Sequence, residues 1–128
     1  MNFPDKLDVL MVHAQLIAET GGSPGLRDEG ALESALAAVV NRVYYEQADL
    51  PTCAATYAYH LTQAHAFVDG NKRIAAAIAE TFLETNGAQL NLTNDELVTL
   101  FLDIASGNLN RDRVDAVFKE HAIYKTEQ

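Results

Sequence analysis

With 128 residues, 48% of them hydrophobic, the chain is long enough to bury one core and short for a second, so a single domain over residues 1–128 is expected. Nine Lys and Arg stand against 18 Asp and Glu, and the formal net charge of −9 opposes the counterion release that drives most binding to nucleic acids and anionic membranes. The lone cysteine, Cys53, excludes an intramolecular disulfide and a cysteine-based zinc site, and no apolar stretch resembles a signal peptide or a membrane span, so a cytoplasmic protein is expected.

Six helices are predicted in chain order. From Leu7, the apolar positions Leu10, Met11, Ala14, Ile17 and Ala18 recur at helical spacing until Gly21-Gly22-Ser23-Pro24-Gly25 imposes a loop. Asp28 is placed to cap a second helix with apolar face Leu32, Leu36, Val39, Val40 and Val43 and with Glu29 and Glu33 near its positive end, fading by Tyr45. After an acidic connection with Asp49 and Pro51, Thr52 to Phe67 is rich in alanine and aromatics and free of glycine, the composition of a buried third helix that should enclose Cys53. Val68-Asp69-Gly70 interrupts it. Asn71 is then expected to cap a fourth, central helix whose run Ala75-Ala76-Ala77 allows close helix packing before Asn86-Gly87 stops it. Ala88 to Leu92 reads as a short extended connection. Thr93 and Glu96 have capping-box spacing ahead of a fifth helix with Leu97, Leu100, Phe101 and Ile104, closed by Gly107. Asn110 is placed to cap a sixth with Val114, Val117 and Phe118, and fraying is expected from Lys125.

The chemistry concentrates in His65-Ala66-Phe67-Val68-Asp69-Gly70-Asn71-Lys72-Arg73, where a histidine, a carboxylate, a glycine, an amide and two cations share one turn that opens a helix. Free N–H groups and the peptide dipoles at a helix start attract an anion, and Gly70 lets the backbone approach a phosphate closely. Lys72 and Arg73 invert the acidic preference of a first helical turn, which an anionic ligand would explain. Asp69 offers a hard oxygen of the kind that holds magnesium already bridging nucleotide phosphates, so a magnesium-nucleotide is the expected occupant. Histidine ordinarily titrates near neutrality, and His65 is the candidate to take a proton from an attacking hydroxyl. Phe67 is expected to anchor the loop in the core. Taken alone, His65 would be an ordinary packing or surface histidine; the company it keeps reverses that. His60 precedes it by five residues, off the i, i+4 spacing of paired ligands, so zinc is not expected, and His13 and His121 are assigned structural roles.

The segment His65 to Arg73 resembles the signature of the Fic/Doc family, particularly its death-on-curing (Doc) toxin branch, and the likeness extends to Gly21–Asp28, Glu33–Val43 and Asn86-Gly87. It agrees with an all-α fold, a compact bundle of about six helices around a motif-bearing helix. It implies that His65 is the catalytic base, that Asp69 is the magnesium ligand, and that Gly70, Asn71, Lys72 and Arg73 hold phosphate, with Arg73 completing the catalytic set. In members that transfer AMP the motif ends Gly-Asn-Gly-Arg; Lys72 replaces the second glycine here, as in the Doc branch, and disfavours that nucleotide pose. Doc-type toxins bind the nucleotide reversed and transfer the γ-phosphoryl group of ATP to elongation factor Tu, which arrests translation. The resemblance therefore implies a kinase toxin of a type II toxin–antitoxin system using ATP and Mg2+.

Three departures keep alternatives open. Gly70 stands where the Doc toxin has alanine, Ala66 replaces a proline frequent in Fic motifs, and Gln63 stands where a basic residue is expected in the Doc toxin. AMP transfer is the alternative chemistry, and a catalytically idle interaction module is the alternative outside the enzyme class. Many Fic proteins inhibit themselves through a Ser/Thr-x-x-x-Glu-Gly/Asn helix, yet the sole Glu followed by Gly or Asn here is Glu29, and Gly25 stands four residues before it. Inhibition in trans by a Phd-like antitoxin is implied instead.

Overall fold

Five of the six helices among the described residues begin at a side chain that accepts one of their own orphan N–H groups, and the caps expected at Asp28, Thr93 and Asn110 are among them. Asp5 and Asp8 form a capping box at α1 (Lys6–Thr20), Asp28 caps α2 (Glu29–Glu46) and Asp49 caps α3 (Leu50–Ala64). Thr93 and Glu96 complete the expected box at α5 (Asn94–Ser106), and Asn110 caps α6 (Arg111–His121). The exception is α4 (Asn71–Thr85). Its N-cap is Gly70, and no side chain among the described residues caps it. The computed structural model describes residues 1–125, and none of the helices in them is long and apolar enough to cross a membrane.

A single apolar cluster joins all six helices. Residues Leu50 to Ala58 are buried without interruption, together with Leu61 and Thr62, so α3 is enclosed nearly all round, by α2, α4, α5 and α6. The expected centrality of α4 is thus shared with α3. Cys53 is wholly buried as expected, and burial pushes its thiol up to about 11, so it is an unreactive packing residue. Each fully buried Leu, Ile or Phe, such as Leu61, Ile74 and Phe118, contributes about 1.5–3 kcal/mol relative to exposure.

Two helix faces differ from expectation. In α1 the buried stripe is Val9, His13 and Ile17, while Met11, Ala14 and Ala18 face outward. A buried histidine occupies the row that apolar residues were expected to fill, which rotates the face. In α2 Val40 is exposed, and Arg42 is buried because Asp115 of α6 meets it with two hydrogen bonds of 3.0 Å.

The bundle also carries one small sheet. Ala88–Leu90 (β1), the expected extended connection, pairs antiparallel with Ala122–Tyr124 (β2), for which no strand was expected. Three-residue strands lack a visible period, and only the return of α6 to this edge supplies the partner. Lys125 is tied down as well, donating its N–H to Gly87 O at 2.8 Å. The fraying expected beyond it, at 126–128, lies outside the described residues.

Candidate active site

The third helix stops at Ala64, short of the expected Phe67, because the following backbone finds partners elsewhere. His65 turns left-handed (φ 48°, ψ 40°), and Ala66 and Phe67 pass inward, almost fully buried. Leu26 and Phe67 form an isolated antiparallel bridge, Arg27 and Asp28 both donate to Ala66 O, and Val68 donates to Gly25 O. The Arg27 guanidinium adds a bond of 2.7 Å to His65 O. The Gly21–Asp28 loop therefore borders the motif along its length, and His65 is left with an exposed side chain.

Beyond Phe67 the chain reverses through Val68-Asp69-Gly70. Gly70 adopts φ 76°, a conformation that costs other residues energy, and a Cβ there would stand 3.1 Å from Ile17 Cδ1. Asn71 does not cap α4. Its side chain instead brackets Phe67, accepting the Phe67 N–H and donating to Phe67 O, both at 3.0 Å. That carboxamide is committed to the loop, so the backbone N–H is what Asn71 has to offer an anion. The first amides of α4 have no side-chain cap and no acid in their turn, while Lys72 is exposed beside them.

The half-exposed Asp69 carboxylate accepts Ser23 N–H through Oδ2 at 3.1 Å and Gly70 N–H through Oδ1 at 2.8 Å. These bonds, Ser23's first, with lesser help from Arg73, hold its pKa below the usual carboxylate value, so it is ionised at neutral pH. Arg73 lies 3.7 Å from Asp69 Oδ1 and donates to Thr20 Oγ1 at 2.5 Å and Gly21 O at 2.8 Å. His13, buried in α1, places Nε2 2.7 Å from Asp69 O and stacks its ring on Phe67 with centroids 3.8 Å apart. Among the described residues no group of three or more His, Cys, Asp and Glu could hold a metal. One ionised carboxylate suits magnesium that arrives with phosphate and water oxygens, so the donor set fits magnesium-nucleotide rather than a bare ion.

The expected site residues from His65 to Arg73 thus occupy one turn, with Asp69 and Arg73 in contact and Lys72 at the same helix start. Sequence reasoning missed Thr20, Ser23 and Arg27, and it left His13 structural without its target. For His13 and Thr20 a signal of a shared face was present, though not of its partner: with Ile17 they follow one another at i, i+4 and i+7, one face of α1 ending at the glycine loop. A groove of about 210 Å3 adjoins the motif, with Lys72, Arg73 and Ala76 on one side and Leu97, Val98 and Phe101 on the other.

Residues 3–83 match the model of the Fic/DOC family. The chain is similar to "Protein kinase doc" of Escherichia phage P1, 36% identical over 104 residues that cover 80% of this chain and 82% of the relative. It is also similar to "Toxin Doc" of Mycolicibacterium smegmatis, 38% identical over 100 residues covering 75% and 77%.

Proposed function

Because the chain belongs to the Fic/DOC family, we propose that it is the toxin of a toxin–antitoxin system, a single-domain cytoplasmic kinase that moves the γ-phosphoryl group of ATP to a protein hydroxyl. The observation that carries this reading is the bare start of α4. Five helices spend a side chain on their orphan amides, whereas α4 offers its own beside Lys72, with an ionised Asp69 alongside. Such an arrangement serves an anion with a metal partner.

In the proposed reaction the α4 amides, Lys72 and Arg73 hold the nucleotide phosphates, and Asp69 would hold the magnesium ion. An ion held there by Asp69 would supply positive charge against the phosphate charge that develops on transfer. A target hydroxyl oxygen attacks the γ-phosphorus while its proton passes to His65. The bond from phosphorus to the β–γ bridging oxygen breaks, and ADP leaves. General-base help of this kind is worth roughly 10²–10⁴ in rate, with positioning and charge stabilisation supplying much of the rest. The apolar groove between α4 and α5 has the chemistry to take a flat purine base whose phosphates lie at Lys72 and Arg73.

Elongation factor Tu is the proposed substrate and translation arrest the proposed outcome, while the names of the relatives support the kinase and toxin parts of the reading alone. A Phd-like antitoxin is the proposed partner that restrains it. Incubation with Mg2+, bacterial lysate and ATP labelled at either the α or the γ phosphate tests the reaction, with His65→Ala as control. A His65-dependent band labelled only from γ-labelled ATP is expected. A band labelled from the α position would replace the kinase by AMP transfer, and no His65-dependent band under either label would favour an idle interaction module.

A further inference from the structure

We infer that His13 is a positioning residue for Asp69, holding the Asp69–Gly70 peptide in the one orientation that aims the carboxylate and the start of α4 together. A carbonyl oxygen only accepts, so the 2.7 Å contact to Asp69 O requires the proton on His13 Nε2. The other end of the same peptide, Gly70 N–H, donates to Asp69 Oδ1 at 2.8 Å. The peptide unit is planar, and fixing both its oxygen and its hydrogen therefore fixes its rotation. Glycine at 70 makes that restraint necessary, since without a Cβ the peptide can turn over at little cost. A turned peptide would point Gly70 N–H away from the carboxylate and carry the Asp69 Oδ2 to Ser23 N–H bond with it.

His13 is itself immobile. It is 3% exposed, and its ring lies against Phe67 at an interplanar angle of 16°, so Phe67 and Asp69 are both registered to α1. The Gly70 position also reports the fit: a Cβ there would stand 3.5 Å from His13 Nε2. This inference rests on the proposed magnesium role of Asp69 for its consequence, but not for its geometry.

Amide exchange by NMR on the full chain tests the geometry without any ligand. In His13→Leu, Gly70 and Ser23 amides should exchange about tenfold faster while α3 amides keep their rates, because only the local opening is eased. In His13→Gln, whose side-chain Nε2–H can reach the same oxygen, both rates should return to within about threefold of wild type. Unchanged rates in His13→Leu, or equal acceleration in the two variants, would overturn the inference. Should His13→Leu fail to fold, the imidazole ¹⁵N spectrum of the wild type decides: a proton on Nε2 coupled through the hydrogen bond to the Asp69 carbonyl carbon is expected, and a proton on Nδ1 overturns it.

Calorimetry then reads the consequence. Magnesium-ATP should bind His13→Leu roughly tenfold to a hundredfold more weakly than wild type, the range for lost support of a metal ligand. Equal affinity would refute the positioning role. Wild type that binds no magnesium-ATP would refute the proposed reaction, and the exchange rates would still decide His13.

Discussion

Arg73 is held by Thr20 Oγ1, Gly21 O and, at longer range, Asp69, all of them weaker partners than a phosphate that can meet a guanidinium with two charged oxygens. In the proposed reaction a phosphate would therefore draw Arg73 off the end of α1 without rebuilding the loop. Gly22 is what lets the loop sit so close. With φ 114°, a Cβ there would fall 2.6 Å from Asp69 Oδ2 and 3.0 Å from Arg73 Nη2. Gly22→Ala should lower phosphoryl transfer roughly tenfold to a hundredfold by displacing those groups, while costing about 1–3 kcal/mol in stability. Parallel measurement of turnover and urea unfolding checks this, and unaltered turnover would mean that the loop does not set the site. At this scale the types of the motif residues were legible, but the use of Asn71 was not. Its side chain serves Phe67, four residues back, and that bond exists only once the loop has closed.

The starts at Asp28, Thr93 and Asn110 were legible because a cap and the amide it satisfies lie three residues apart, whereas Asn71 was misread as the cap of α4. Helix faces were less legible where a polar residue is buried, as His13 in α1 and Arg42 in α2 illustrate. His60 in α3 is a further case, with Nε2 buried and without a hydrogen-bond partner among the described residues. Burial, then Arg111 and Arg42, push its pKa below the ordinary 6.5, with Asp115 opposing. The unfolded chain consequently takes up this proton more readily than the folded one, and stability that is full above pH 6.5 is lost as pH falls from 6.5 toward the depressed value. Thermal melts between pH 7 and 5 should show wild type losing more stability than His60→Leu. Parallel losses would assign the acid sensitivity to other groups.

Across the whole molecule, the Arg42–Asp115 pair ties α2 to α6, and Arg42 also donates to Thr56 of α3 at 2.9 Å. Removal of one partner strands a buried charge, so Asp115→Ala should cost about 3–5 kcal/mol in urea unfolding at neutral pH. Replacement of both by apolar residues, as in Arg42→Met with Asp115→Leu, should cost less, because no charge is left alone. A loss below about 1 kcal/mol for Asp115→Ala would mean that solvent or Glu46, already 3.5 Å from Arg42 Nε, satisfies the guanidinium alone. The side chains that meet the pair, Thr56 and Glu46, lie outside the motif, so these changes test the frame.

Sequence alone determined the caps at Asp28, Thr93 and Asn110, the glycine stops, the six helical segments and the chemical content of His65–Arg73, since each depends on neighbours within one or two turns of chain. Contacts across long stretches of chain decided the remainder. Ser23 meets Asp69 across 46 residues and His13 meets it across 56, and β2 finds β1 only after α5 and α6 have returned the chain to that edge. No local pattern encodes such meetings, because the burial that makes them favourable arises only when the helices have packed.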